Sequence, residues 1–259
     1  MINSFFPEHE RYIEPFCGAA SVLLRKPVSD IEVVNDKHDR LINLLRVLRD
    51  PKKIEILEEK LVATPYSAIE YYDCREKSED SIEDARRMIV LSHQGFGSTG
   101  VTGGKITGWR RSIRRKGYHG INEWNKISDH LPAWSHRLNN CYIDSKDAID
   151  ILKTWDHETA LFYVDPPYLH DTRSTSMSDR GYKHEMTDEQ HVELAEALSK
   201  LKGYVIVSGY PSDLYFDLYS GWECHRRQAR ADKAKKATEC LWLSPKTSVA
   251  NRTGIHTSF

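Results

Sequence analysis

Leu161-Phe162-Tyr163-Val164-Asp165-Pro166-Pro167-Tyr168 is a continuous apolar run that stops at an acid, two prolines and an aromatic. Such a run reads as a strand buried on both faces of a parallel sheet. Pro166 and Pro167 cannot continue a central ladder, so the chain leaves the sheet there. Asp165 then falls at the strand's carboxyl end, where open α/β sheets place their ligands. The prolines fix φ and remove two N–H donors. The carbonyls of Asp165 and Pro166 stay as acceptors in a stiff loop, between a carboxylate and the ring of Tyr168. That array suits a flat group bearing an amine, such as a nucleobase with an exocyclic NH2. The competing reading is a Pro-Pro turn with a capping acid and a packed tyrosine. With each residue type at roughly 5% usage, the tetrad arises by chance about once in several hundred chains of this length, which favours the functional reading.

The 259 residues allow one large α/β domain or a catalytic domain with an insertion. A hydrophobic content of 39% beside 29% charged residues describes an ordinary globular chain, and no apolar run is long enough to span a bilayer. Met1-Ile2-Asn3-Ser4-Phe5-Phe6-Pro7 lacks the regions of a signal peptide. The five cysteines are scattered, odd in number and never in CxxC spacing. They indicate neither a zinc site nor a disulfide framework, and fit reducing cytoplasm. A net charge of −1 does not by itself point to nucleic acid; the distribution of charge does.

Arg11-Tyr12-Ile13-Glu14-Pro15-Phe16-Cys17-Gly18-Ala19-Ala20-Ser21-Val22-Leu23-Leu24 reads as strand, tight turn and helix. Gly18, Ala19 and Ala20 let a ligand approach the backbone, and a helix start offers free N–H groups. Ile31 to Asp36 reads as a second strand ending in an acid. Asp36 stands where ribose hydroxyls are held, or caps the helix from Lys37 to Arg49 that Pro51 stops. From Lys52 to Ala133 the strand signals vanish, and Lys52–Val62, Tyr66–Lys77 and Ile82–His93 read as helices. Ser81-Ile82-Glu83-Asp84 has the pattern of a capping box. A glycine-rich stretch from Gly95 to Gly104 follows and fails the phosphate-loop pattern. Lys105, Arg110, Arg111, Arg114, Arg115 and Lys116 then give six positive charges with no acid between them, beside Trp109 and Tyr118. A basic run with aromatics is a phosphate and base contact surface. Cys141 to Asp144 reads as a third strand; Asp147 either binds a cofactor amino group or caps the next helix. The polar stretch from Leu169 to Met186, with Arg173, Arg180 and Tyr182, reads as a flap over the site. Thr187 and Gln190 form a capping box, Tyr204–Ser208 a buried strand, and Glu239–Leu243 a closing strand. A second basic cluster runs from Arg226 to Lys236. Strands alternating with helices imply a doubly wound, mostly parallel α/β sheet with a mainly helical insertion. The expected boundaries are 1–51 with 134–259 for the main domain and 52–133 for the insertion.

Asp165-Pro166-Pro167-Tyr168 resembles the catalytic motif of amino-methyltransferases that use S-adenosylmethionine (AdoMet), in the form found in Dam-type DNA adenine methylases. Glu14-Pro15-Phe16-Cys17-Gly18-Ala19-Ala20-Ser21-Val22 resembles the AdoMet-binding first motif of the same family. The two occur in the family's order, and the resemblance spans about Phe5 to Leu243. It implies a methyltransferase-type sheet and methyl transfer from AdoMet to the exocyclic amine of adenine in double-stranded DNA, without a metal. Glu14, Phe16, Cys17, Gly18, Ala19, Asp36, Asp147 and Asp165 would serve the cofactor, and Asp165, Pro166, Pro167 and Tyr168 catalysis. The basic block matches the family's target-recognition region, so Lys105, Trp109, Arg110, Arg111, Arg114, Arg115 and Lys116 would contact DNA, with Arg173 and Tyr182 from the flap. The family's opening segment over AdoMet is represented only by its end, Ser4 to His9, which implies either a truncated start or weaker cofactor binding. The chemistry also suits cytosine amino-methylation, a glutamine- or RNA-directed enzyme, or a silent DNA-binding module.

Alanine at Arg110, Arg111, Arg114 and Arg115 together is expected to flatten the dependence of log K for duplex DNA on log salt by several units, at ~0.9 per lost phosphate contact. Titrations between low and physiological salt measure that slope.

Overall fold

The structure is a computed structural model that describes residues 2–96, 108–111, 120–168, 186–230 and 236–253. In chain order its strands are β1 (Arg11–Glu14), β2 (Ile31–Asn35), β3 (Cys141–Asp144), β4 (Ala160–Val164), β5 (Tyr204–Gly209), β6 (Glu223–Arg230) and β7 (Lys236–Leu243). Its helices are α1 (Asp39–Arg49), α2 (Pro51–Ala63), α3 (Ala68–Asp73), α4 (Ser81–Gln94), α5 (Gly120–Trp124), α6 (Leu131–Asn139), α7 (Ala148–Trp155), α8 (Asp188–Ser199), α9 (Asp213–Leu218) and α10 (Pro245–Thr253). The chain divides into two compact units. One is built from Met1–Lys37, Asp144–Ser178 and His184–Phe259, the other from His38–Ile143 and Asp179–Lys183.

The seven strands form one mixed sheet in the order β3-β2-β1-β4-β5-β7-β6. β2, β1, β4 and β5 run parallel, β7 returns antiparallel to β5, and β6 pairs antiparallel with β7. This is the doubly wound, mostly parallel architecture that the strand–helix alternation predicts. The order reverses between β1 and β4, so the carboxyl ends of these two neighbours flank the topological switch point. Glu14 closes one of them, and Asp165 follows the other.

Side chains alternate across each strand, and the register carries that alternation across the sheet. Ile13, Val33, Phe162, Val164, Val205, Val207, Cys240 and Trp242 fall on one face by register. They are buried against Ile151 and Leu152 of α7, Leu194, Ala195 and Leu198 of α8, Tyr215 of α9, and Tyr219. The other face receives the intervening residues, among them Tyr12, Glu14, Tyr163 and Ser208.

The local signals behave as their chemistry requires, with several corrections. Thr187 and Gln190 form a reciprocal capping box. The N-cap of α4 is Asp80 rather than Ser81, because the Asp80 carboxylate accepts from both Ile82 and Glu83 N–H. α1 starts at Asp39 behind the imidazole of His38, so Asp36 is not its cap. The expected helix after Gly18 is only a three-residue 3-10 helix, Leu23–Arg25. Gly18 and Ala20 both hold φ near +50°, outside the right-handed helical region, and the chain between them is a turn. Five of the named strands and helices carry no reading in the sequence: β6, α5, α6, α9 and α10.

In the helical unit, Arg40 Nε donates to buried Asp84 at 2.9 Å. Gln94 accepts from Ser67 N–H and donates to the Pro65 carbonyl, so the end of α4 is fixed to the turn before α3. Gly95 and Trp109 form an isolated antiparallel bridge. It is the one strand-like pairing among the described residues of a segment that carries no strand signal.

Gly203, directly before β5, shows why one residue type is required where two strands start side by side. A Cβ there would lie 2.6 Å from the Ala160 carbonyl oxygen and 3.0 Å from Phe162 Cε2. Gly203→Ala is expected to destabilise the protein by ~1–3 kcal/mol through overpacking. Urea denaturation at constant m-value measures the loss.

Candidate active site

The site is assembled where the parallel strands end. After β1, the chain makes the bend of Pro15 to Ala20, held from below by β2. Cys17 N–H donates to the Asn35 carbonyl at 2.9 Å, and Gly18 N–H donates to Asp36 Oδ2 at 2.9 Å. Asn35 acts as a clamp: its Nδ2 donates to the carbonyls of Pro15 and Lys146, and its Oδ1 accepts from Lys146 N–H. One buried amide therefore ties the small-residue bend to the loop after β3. Sequence reasoning passed over Asn35, although a polar residue ending a buried Val-Val run is the signal that marks it.

Asp147 caps α7. Its Oδ1 accepts from Ile149 N–H at the start of α7, and its Oδ2 accepts from Lys37 Nζ at 2.7 Å. The Lys37 bond comes first among the causes that hold its carboxyl below the usual range. Asp36, Phe16 and Gly18 are half-buried and Ala19 is exposed, so the bend presents its backbone outward. Cys17 is buried with its thiol on the Gly18 carbonyl.

Glu14 is 2% exposed. Its Oε1 accepts from Tyr12 Oη at 2.6 Å and from Leu23 N–H at 2.8 Å. Burial pushes its carboxyl up to about 7, against the lowering effect of those two donors, and the nearby Asp165 adds to the rise. Lys26 works the other way from beneath: it pairs with Glu32 at 2.6 Å and lies over the Tyr12 ring.

Asp165 leaves β4 into the Pro-Pro corner with no cis bond. Burial lifts its carboxyl to about 6, hydrogen bonds from Tyr168 and Ser208 lower it, and Glu239 raises it. Its Oδ1 is buried and has no hydrogen-bond partner among the described residues. An acceptor buried without a donor is costly, and is expected where a ligand supplies the missing hydrogen. The Tyr168 ring meets Tyr210 edge-on at 4.6 Å. Glu239, Ser208, Tyr163 and Tyr210 belong to this cluster and went unassigned in the sequence. Ser208 is the legible one, as a polar residue ending the apolar run Val205-Ile206-Val207.

Lys105, Arg114, Arg115, Lys116, Arg173 and Tyr182 lie outside the described residues, as do most of the glycine-rich stretch and the loop after the tetrad. Trp109, Arg110 and Arg111 are described. Trp109 packs on Tyr66 at 5.5 Å, and the Arg110 carbonyl accepts from Tyr66 Oη at 2.6 Å. The Arg110 guanidinium reaches Glu123 at 3.0 Å. Arg111 is exposed. The first two thus also hold the base of the basic segment. Among the described residues, no group of three His, Cys, Asp or Glu side chains is arranged to hold a metal ion.

The donor set fits AdoMet. A cationic sulfonium and ammonium suit the acid-rich strand ends at Glu14 and Asp165, and the bend at Gly18 and Ala19 suits close backbone approach.

The comparisons with known proteins agree with this arrangement. A family model described as D12 class N6 adenine-specific DNA methyltransferase matches residues 1–232. The chain is 22% identical over 245 residues to the DNA adenine methylase of Escherichia coli strain K12, covering 86% of this chain and 80% of that protein. The same figures hold for the DNA adenine methylase of Escherichia coli O157:H7. With nine-tenths of its length under the family model and the acid-Pro-Pro-Tyr corner at its switch point, the chain belongs to the D12 class of N6 adenine-specific DNA methyltransferases.

Proposed function

We propose that this protein transfers a methyl group from AdoMet to the N6 amine of an adenine turned out of duplex DNA. The observation that carries this reading is the buried Oδ1 of Asp165, which has no hydrogen-bond partner among the described residues and stands directly before the Pro-Pro corner. The adenine amine is conjugated with its ring and is a poor nucleophile. Accepting its two hydrogens at Asp165 Oδ1 and the Pro166 carbonyl lets the nitrogen present its lone pair. AdoMet, when bound, supplies an electrophilic methyl on a sulfonium. Glu14, Phe16, Cys17, Gly18, Ala19, Asp36, Asp147 and Asp165 would hold it, and Asn35 would keep the bend and the β3 loop in place around it. Fixing the reacting groups in line is worth ~7–11 kcal/mol in well-oriented reactions.

The amine lies inside the duplex stack, so reaching it costs a few kcal/mol of unpairing. Stacking on Tyr168 offsets ~1–3 kcal/mol of this, and its edge-on contact with Tyr210 sets the plane of the ring. The basic run from Lys105 to Lys116, with Arg173 and Tyr182, would supply phosphate and base contacts. Phosphate contacts set register and affinity, whereas base edges set the sequence read.

Expression in a host that lacks DNA methylation, followed by sequencing of methylated bases, tests the reading: N6-methyladenine at one short motif is expected. Asp165→Ala is expected to abolish turnover and leave duplex binding within about twofold, because the side chain acts on the amine and not on phosphates. Retained methylation in that variant contradicts the role of Asp165. The same carboxyl sets a pH limb. Its folded pKa is raised to about 6 and its ionised form is the acceptor, so activity is full above that value and lost below it. A profile of kcat/KM is expected to fall about tenfold per pH unit on the acid side of 6.

A further inference from the structure

We propose that the ribbon of β6 and β7 is a second DNA contact, a strip of cations on the catalytic sheet itself that takes the phosphate backbone of the duplex beside the target base. This rests on the methyl-transfer reading above.

Register places the ribbon. β5 ends at Gly209, opposite Cys240. From Glu239 back to Lys236, β7 pairs with β6 alone, Arg227 with Glu239 through to Arg230 with Lys236. Because β7 runs antiparallel to β5, these residues continue the sheet past the carboxyl ends of its parallel strands. The four residues Lys236–Glu239, at ~3.4 Å each, carry the ribbon ~13 Å beyond Gly209. Val164 pairs with Val207, so Asp165 follows β4 near the level where the ribbon leaves the sheet. β7 is two strands from β4, ~10 Å across at ~4.8 Å per strand. A strip ~13 Å long spans about four phosphates of one DNA strand, at one per ~3.4 Å of helix axis.

The composition suits an anion. Between Arg226 and Lys236 six cations, Arg226, Arg227, Arg230, Lys233, Lys235 and Lys236, stand against the single acid Asp232. Lys233 and Lys235 lie outside the described residues. Arg226 and Arg227 are exposed. Arg226 lies over the Phe216 ring at 5.2 Å, on the face it shares with Cys240. Arg227 belongs to the other face, opposite Glu239. Arg230 and Lys236 are directly opposed, and like charges so placed destabilise a strand pair. Alanine is the only apolar residue type from Arg226 to Glu239, so the ribbon has no large side chain to bury. A two-stranded ribbon without an apolar face is marginal in water. A charged edge also blocks pairing between sheets, but either sign serves that purpose. An excess of one sign, opposed across the pair, is relieved by a polyanion.

The neighbouring site supplies the need. Glu14, Asp165 and Glu239 bring carboxyls to the same end of the sheet, and they repel DNA brought to Asp165. The net charge of the chain is −1, so attraction has to come from local clusters. Cations on the adjoining ribbon offset the repulsion without touching the reacting amine.

The test measures duplex binding against salt, AdoMet binding by calorimetry, and kcat and KM for DNA. The proteins are wild type, Arg227→Ala, the triple variant Arg227→Ala, Arg230→Ala and Lys236→Ala, and the charge-keeping double variant Arg227→Lys and Arg230→Lys. The triple variant is expected to flatten the dependence of log K on log salt by ~2–3 units, at ~0.9 per lost phosphate contact. It should weaken duplexes that contain or lack the methylated motif alike, because phosphate contacts carry no sequence information. KM for DNA should rise while kcat and AdoMet affinity stay within about twofold. Arg227→Ala should flatten the slope by about one unit. The lysine variant should keep the wild-type slope, because a point charge suffices for phosphate. An unchanged slope in Arg227→Ala overturns the proposal, whether or not the triple variant folds. An equal loss in the lysine variant assigns these residues to folding and overturns it too, as does a loss confined to duplexes with the motif, which assigns them to base reading. Wild-type protein that neither binds duplex DNA nor methylates adenine overturns the underlying reading instead, and is scored before any variant.

Discussion

A carboxylate taken out of water must find donors or lose its charge, and this rule shapes the centre of the sheet. Three carboxyls, on Glu14, Asp165 and Glu239, influence one another from β1, the end of β4 and β7. The fold answers each differently. Glu14 takes two donors, Tyr12 Oη and Leu23 N–H, on its one oxygen Oε1. Asp165 Oδ1 is buried with no donor among the described residues. The difference between the two follows from position: Glu14 is followed by a bend that folds back over it, whereas Asp165 is followed by two prolines that bring no N–H to it.

The same sheet keeps its two faces chemically apart. Register places Ile13, Phe162, Val164, Val207 and Trp242 on the face under α7, α8 and α9, and that face supplies the core. Their neighbours one residue along, Tyr12, Tyr163 and Ser208, point the other way and lead to the acidic ends. A one-residue slip in β4 would turn Phe162 and Val164 to the opposite face and put Asp165 on the face under α7, α8 and α9. The apolar face therefore does more than stabilise the fold. It fixes which side Asp165 occupies, and with it which groups can reach the substrate.

Much of this was legible in the chain. Leu161–Val164 is an unbroken apolar run that stops at an acid and two prolines, and the structure places its strand in the middle of the sheet. The capping box at Thr187 needs only local geometry, and it forms as the sequence implies. The helix expected after Gly18 failed because its residues have the right composition but two of them hold left-handed φ, a choice imposed by tethers to Asn35 and Asp36. β6 went unread because the sequence from Glu223 to Arg230 is mostly polar and shows no apolar alternation, and the strand lies at the edge of the sheet. Arg110 was read as a free phosphate contact, yet it also holds Glu123, which no spacing rule relates to it.

The sequence by itself determined the class of sheet, the strand that ends in the acid-Pro-Pro-Tyr corner, and the small-residue bend near the amino terminus. These depend on composition and backbone chemistry within a few residues. Only the tertiary structure decided that Asn35 clamps the bend to the β3 loop, that Ser208 stands beside Asp165, and that Oδ1 has no donor among the described residues. Those facts join residues 43 to 111 positions apart, and such pairs are set by strand order and register, which a single chain of letters does not display.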